Sequence, residues 1–194
     1  MATGSASPPR VSDALARAEV LDREGASSTL GEHWRDRPAL LVFLRHFGCI
    51  ACAEHVAIVA PRLVELVRLQ IEVVFIGNGA PHFIDGFVAR NGLHGVPVAI
   101  VTDPTLLAFA AAGLVRSRMS TFGPRALLNH ARASLAGFRQ RAIEGDNEQQ
   151  GGVLLVDRDG TIVYAHRDEV AGDHAPMADV VDAALRLSAR RAAV

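Results

Sequence analysis

Cys49 and Cys52 are the only cysteines in the 194-residue chain, and their spacing, Cys49-Ile50-Ala51-Cys52, is the feature that most directly implies chemistry. Thiolate is the reactive form of cysteine. It is favoured where a helix begins, because unpaired N–H groups and the positive end of the helix dipole face it there. Cys49 follows the apolar run Ala39-Leu-Leu-Val-Phe-Leu44 and opens a stretch with helical spacing. It is therefore expected at a helix N-terminus, where thiol pKa values commonly fall to roughly 3.5–7.5. Cys52 lies one turn further on the same face, close enough to attack a disulfide or sulfenic acid formed on Cys49. The expectation is that Cys49 is the more exposed thiol and initiates, whereas Cys52 points inward and resolves. Gly48 would leave an approach path beside the nucleophile. Arg45 and His46 flank the pair and would stabilise the thiolate or carry a proton.

Other arrangements compete with this one and are weaker. His46, Cys49, Cys52 and His55 fall at intervals of three, which is formally a zinc-like spacing. Four ligands on one strand-to-helix stretch would wrap around the helix, whereas structural zinc draws its ligands from two segments; no metal is expected. Gly77-Asn78-Gly79 after a strand lacks the third glycine of a dinucleotide fingerprint, since His82 stands there, and it reads as a turn. Asp157 and Asp159 around Gly160 resemble only a fragment of a calcium loop. Asp173 reads as a cap for the last helix, and Glu54, His55 and His174 read as solvated.

The elements that must position the pair follow from periodicity. The 39–44 run is the pattern of a strand buried on both faces. Residues 49–70 read as one long helix, with Val56, Val59, Leu63, Leu66 and Val67 on its apolar face. Strands are expected at 71–76 and 98–102, with a helix between them from Pro81 to Arg90 and a short helix after them to Gly113. That alternation gives a parallel sheet. Residues 153–156 and 161–165 flank Asp157-Arg-Asp-Gly160 and read as an antiparallel hairpin. A helix from Pro176 to Arg191 closes the chain. Val11 to Glu24 has helical spacing, although Val20-Leu21-Asp22 could open a strand. Between these lies 114–150, with Ser117–Gly123 as loop, Pro124–Phe138 as helix and Glu144–Gly152 as polar loop. It is expected to cover the Cys49 pocket, since long connections are usually functional. The domain reading is a flexible tail over 1–10 and a single domain over 11–194 with 114–150 as a helical insertion.

Composition narrows the function classes. Hydrophobic residues make up 49% of the chain, so a packed core is expected rather than disorder. The net charge is −1 and the basic residues are scattered, which argues against a nucleic-acid face. All 20 basic residues are arginine, which excludes a Schiff-base or P-loop lysine. No apolar run approaches the length of a membrane span, and the first ten residues lack the apolar core of a signal peptide. A cytoplasmic location is expected, and there paired cysteines act catalytically more often than as staples.

Phe43-Leu-Arg-His-Phe-Gly-Cys-Ile-Ala-Cys52, Asp103-Pro104, Gly151-Gly-Val153 through Gly160 and Gly172-Asp173-His174 together resemble the peroxiredoxin-like branch of the alkyl hydroperoxide reductase/thiol-specific antioxidant superfamily. That branch includes the selenoprotein L and prostamide/prostaglandin F synthase relatives, and the likeness covers roughly residues 19–187. It implies an α/β thioredoxin-like three-layer sandwich, with a mixed sheet of parallel strands plus the C-terminal hairpin. It also implies reduction of peroxide or endoperoxide and recycling by thioredoxin or another thiol reductant; the cycle would run through Cys49 and Cys52, with no cofactor expected. In peroxiredoxins an arginine approaches the pocket; Arg125 is the candidate, beside the simpler reading of a solvated helix arginine. Two departures bear on specificity. Peroxiredoxins carry Pro and Thr seven and three residues before the peroxidatic cysteine, but Val42 and His46 precede Cys49, and Arg45 and Cys49 precede Cys52. Gly151-Gly152 stands where thioredoxins place a cis-proline, which singles out Gly152 as a further residue of the site. A hydroperoxide reductase is the first reading. A protein disulfide oxidoreductase, or a non-enzymatic sensor switched by a Cys49–Cys52 disulfide, is the alternative.

Overall fold

The computed structural model describes residues 8–193. The chain opens with a one-turn helix α1 (Asp13–Ala16) and a hairpin, β1 (Glu19–Leu21) and β2 (Ser27–Thr29). β3 (Ala39–Phe43) leads into α2 (Ile50–Val59), followed by α3 (Leu63–Arg68) and β4 (Glu72–Gly77). α4 (Phe83–Arg90), β5 (Ala99–Thr102) and α5 (Leu107–Ala111) complete the parallel half. Next come α6 (Arg118–Phe122) and α7 (Pro124–Leu135), then β6 (Gly152–Val156), β7 (Ile162–Arg167) and α8 (Met177–Ala192).

Seven strands form one sheet in the order β2-β1-β5-β4-β3-β6-β7. β3, β4 and β5 are parallel, and β6 lies antiparallel to β3, with Phe43 opposite Gly152 and Ala39 opposite Val156. The 153–165 hairpin therefore sits beside the 39–44 strand, as its alternation requires. β3 is buried at every residue because both sheet faces are covered. Leu40 and Val42 pack with Val56, Val59, Leu66, Phe87 and Val180 from α2–α4 and α8. Ala39, Leu41 and Phe43 pack on the other face with Leu15, Trp34 and Phe109. The three-layer mixed α/β arrangement is the one the resemblance implies. No helix among the described residues is long and apolar enough to cross a membrane.

Several local expectations are corrected. The helix expected over 49–70 ends at Val59, because Pro61 removes a backbone donor; a 3-10 turn (Ala60–Arg62) joins α2 to α3. Ser117–Gly123 is not a loop: it holds α6, capped by the Ser117 hydroxyl accepting from the Ser120 N–H at 3.3 Å. Val20-Leu21 takes the strand alternative, in β1. Of the proposed tail, residues 1–7 lie outside the described residues, whereas 8–10 are pinned: Ile162 donates to the Pro9 carbonyl, and Arg10 bridges Thr161 and pairs with Asp159.

Candidate active site

β3 delivers the chain to a short connection, residues 44–49, at the carboxyl end of the parallel strands, and α2 begins immediately after it. Cys49 is the N-cap residue of α2, with extended backbone (φ −75°, ψ 133°). Cys52 lies one turn in, and the two cysteines, both free thiols, are 3.9 Å apart. Arg45 binds both sulfurs: its backbone N–H donates to Cys52 Sγ at 3.1 Å and its Nη1 to Cys49 Sγ at 3.3 Å. The Cys52 thiol donates to Cys49, and this together with the Arg45 guanidinium outweighs burial and holds the Cys49 pKa well below the ordinary thiol range. Burial, and the hydrogen bond given to Cys49, push Cys52 well above it. Within the pair the negative charge is thus favoured on Cys49 and the proton on Cys52.

Exposure departs from expectation. Cys49 and Cys52 are 2% and 3% exposed, so neither is the more accessible thiol. The stretch after α7 closes over them. Gln140 accepts from Ile50 N–H at 3.1 Å, so the first amide of α2 is tied to the cover, and Arg141 N–H donates to the Gly48 carbonyl at 3.0 Å. Gly48 lines a cavity beside Cys49, and the cover closes on it from another side: a Cβ there would overlap the Ala142 carbonyl oxygen. Access to Cys49 runs through this cavity, of about 340 Å³, whose lining includes Phe47, Ala53, Val56 and Phe138 together with Arg90, Asn91, Arg139 and Arg141.

Arg45 is buried at 3% exposure, and its remaining donors go to Gln149 O (3.2 Å), Thr121 Oγ1 (3.0 Å) and Asn147 O. Those acceptors all come from the 114–150 stretch, which thus stands at the cysteine end of the sheet. His46 is buried and its Nδ1 accepts from Glu144 N–H at 3.4 Å; burial lowers its pKa, so it is a neutral imidazole with its hydrogen on Nε2. Asn78 joins the two segments, donating to the Arg45 carbonyl and accepting from Asp146 N–H at 2.8 Å. The sequence pattern shows only a turn there. The available signal is its place after a parallel strand, at the carboxyl end of the sheet where sites form.

The other candidates are not brought to the cysteines. Arg125 is exposed, pairs with Glu169 at 3.1 Å and faces a separate groove beside His174; the arginine bonded to Cys49 is Arg45. Gly152 belongs to β6, where a Cβ would lie 2.6 Å from the His166 carbonyl oxygen and 2.8 Å from Leu114; it serves close strand packing. Asp173 does not cap the last helix, which starts from Pro176; it accepts from Glu169 N–H at 3.0 Å. Glu54, His55 and His174 are not solvated. His55 stacks on His174 with centroids 4.5 Å apart, and Glu54 accepts from His174 at 3.2 Å and Arg132 at 2.9 Å. α7 covers them, a tertiary contact that periodicity within α2 could not show. It also brings up His130, unremarked in the sequence, whose buried Nε2 has no partner and which lies within the field of Cys49 and Arg45. Asp103 caps α5, accepting from Ala108 N–H at 2.7 Å, so that part of the motif is structural. Among the described residues no three His, Cys, Asp or Glu side chains gather as a metal site.

A buried, charge-stabilised cysteine at a helix start, seated over a mixed sheet of this topology, defines a thiol oxidoreductase of the thioredoxin-like fold. Residues 60–170 match the AhpC/TSA antioxidant enzyme family, and the chain belongs to it. It is 33% identical to Peroxiredoxin-like 2C of Mus musculus, over 87% of this chain and 77% of that one. It is 30% identical to Prostamide/prostaglandin F synthase of Salmo salar over 80% and 78%, respectively. Among solved structures, the peroxidoxin BcpB of Mycobacterium tuberculosis superposes with a TM-score of 0.63 at 15% identity, covering 93% of this chain and 96% of that one. A cysteine-to-serine mutant of PrxQ from Xylella fastidiosa superposes with a TM-score of 0.64 at 13% identity, covering 95% and 96%. These likenesses show the fold, and the family establishes a thiol-dependent redox enzyme of the peroxidase kind.

Proposed function

We propose that the protein reduces hydroperoxides through a Cys49–Cys52 dithiol–disulfide cycle. The observation that carries this reading is the asymmetry of the sulfur pair, one thiolate held by Arg45 and by the thiol beside it. Cys49 attacks the terminal peroxide oxygen; an S–O bond forms, the O–O bond breaks, and an alkoxide leaves and takes up a proton. Arg45, whose Nη1 lies 3.3 Å from Cys49 Sγ, supplies the positive charge next to the reacting sulfur. Cys52 then displaces hydroxide from the Cys49 sulfenic acid as water. The sulfurs need only close from 3.9 Å to about 2.05 Å, a movement within the first turn of α2. An external dithiol of the thioredoxin type restores the pair, which suits a reducing compartment such as the cytoplasm.

The 340 Å³ cavity is wide enough for an organic hydroperoxide, whose apolar group would lie on Phe47, Val56 and Phe138 while Arg90, Asn91, Arg139 and Arg141 line the rest. Disulfides rank second as substrates. Lipid endoperoxides, suggested by the name of the Salmo salar relative, rank third. The test is steady-state consumption of a thiol donor with hydrogen peroxide, cumene hydroperoxide and insulin disulfide compared side by side. Many turnovers, fastest with cumene hydroperoxide, are expected. Cys49→Ser should abolish turnover, and Cys52→Ser should complete one round and leave an adduct on Cys49 by mass spectrometry. Consumption that stops after one equivalent, or full activity in both variants, overturns the reading.

A further inference from the structure

Arg45 is a buried cation whose side-chain partners are neutral except for one: Cys49 Sγ, Thr121 Oγ1 and two backbone carbonyls. Among the described residues it has no carboxylate within ion-pair distance. In the reduced protein its charge is balanced by the Cys49 thiolate. Oxidation removes that balance, because Cys49 is neutral both as a sulfenic acid and in a disulfide, and an uncompensated buried guanidinium is costly. A second buried group nearby has the complementary defect. Asp168, at the end of β7, is 4% exposed, and its Oδ1 has no hydrogen-bond partner. Its backbone N–H donates to the Gly151 carbonyl, which places it against the Gln149–Gly151 stretch that also receives Arg45. The charged groups facing it are Arg45, Asp173 and His166, whose Nε2 stands 3.6 Å from Oδ1. Burial and the Asp173 charge favour its neutral form, and Arg45 opposes them.

We propose that Asp168 holds a proton while Cys49 is a thiolate and gives it up when Cys49 is oxidised, so that the buried site keeps one cation and one anion throughout the cycle. The proposal rests on the thiolate chemistry read above, and it balances. Cys49 thiolate, Asp168 carboxylic acid and ROOH give Cys49 sulfenic acid, Asp168 carboxylate and ROH. Cys52 thiol and the sulfenic acid then give the disulfide and water. An external dithiol returns two electrons and two protons; one proton stays on Cys52 and the other restores Asp168. Asp168 does not touch the reacting sulfur. It acts through the field of Arg45, as a positioning residue for charge.

The test is a proton count. Reduced protein in weak buffer near neutral pH receives one equivalent of cumene hydroperoxide, and an indicator dye follows pH. The wild type should exchange no net proton with solvent. Asp168→Asn, isosteric but unable to ionise, should take up one proton per Cys49 oxidised. Its pH profile for Cys49 alkylation should match the wild type, because the reduced protein already carries a neutral group there. Uptake of one proton by the wild type, or no uptake by the variant, overturns the proposal. If the variant does not fold, infrared difference spectra of the wild type decide: a protonated-carboxyl band should be present in the reduced protein and vanish on oxidation, and its persistence overturns the proposal. The sulfenic step alone removes the Cys49 charge, so the count holds whether or not Cys52 closes a disulfide. The two-hydrogen mass loss of the disulfide is read separately, and its absence would fault the dithiol cycle instead.

Discussion

At the scale of single residues, the site depends on one arginine serving two sulfurs from opposite ends of the same residue, through Arg45 N–H and Nη1. Replacing it with methionine keeps an apolar stem in the core and removes the charge. Arg45→Met should move the Cys49 alkylation profile up toward the ordinary thiol range near 8.5, since Cys49 loses the guanidinium while the Cys52 side-chain and backbone hydrogen bonds remain. Its kcat/KM for hydroperoxide should fall on the order of 10²–10³-fold, the usual consequence of removing one preorganised donor from developing charge. Arg125→Gln serves as the contrast: it breaks only an exposed pair with Glu169 and should change stability by no more than about 0.5 kcal/mol and leave the profile in place. Equal effects from the two would remove Arg45 from its role. The cysteines, Arg45 and His46 are legible in the sequence because they are neighbours on a strand-to-helix turn. Arg125 is misleading there, and His130 and Asn78 are silent, because their relation to Cys49 is made by packing between distant segments.

Elements decide access. The strands at 39–43, 72–77 and 99–102 and the hairpin are readable from apolar runs and turn residues, whereas α6 is too short to show periodicity despite its Ser117 cap. The cover over Cys49 has no regular structure at all over 137–144, so it offers no pattern to read. Its seat is Gly48, which lets the Ala142 carbonyl approach the turn before α2. Gly48→Ala should force that segment away, freeing the Arg141-to-Gly48 hydrogen bond and the Gln140 contact to Ile50 N–H. Destabilisation of about 1–3 kcal/mol is expected from overpacking, measured by urea denaturation. Cys49 should at the same time be alkylated faster than in the wild type, measured above the inflection of the profile so that only access is read. A slower or unchanged rate would mean that the 137–144 segment does not gate the thiol.

Taken whole, the molecule buries several ionisable groups on the Cys49 side of the sheet, and this sets how it should respond to acid. His55 is held neutral by burial with its pKa well below normal, while His46 and His130 are lowered in the same direction. Unfolding frees them to titrate near 6.5, so between that value and their folded values the unfolded chain binds the extra protons. Their contribution is complete above about pH 6.5 and is lost as pH falls. Cys49, depressed in the folded state, acts in the same sense, and Asp168, raised by burial, acts in the opposite one. Each histidine adds to the slope at most about 1.4 kcal/mol per pH unit. None of this is legible in the sequence, where Glu54 and His55 sit on a helix that could as well face water; α7 and His174 bury them. The reduced protein should lose thermal stability steadily from about pH 7 to about pH 5.5, the window set by the unfolded histidine value. His55→Phe keeps a ring to stack on His174 and removes the unpartnered Nε2. Its Tm should therefore fall less steeply over the same range and exceed that of the wild type at the acid end. A His55→Phe curve parallel to the wild type would show that His55 is not the group that couples folding to acid.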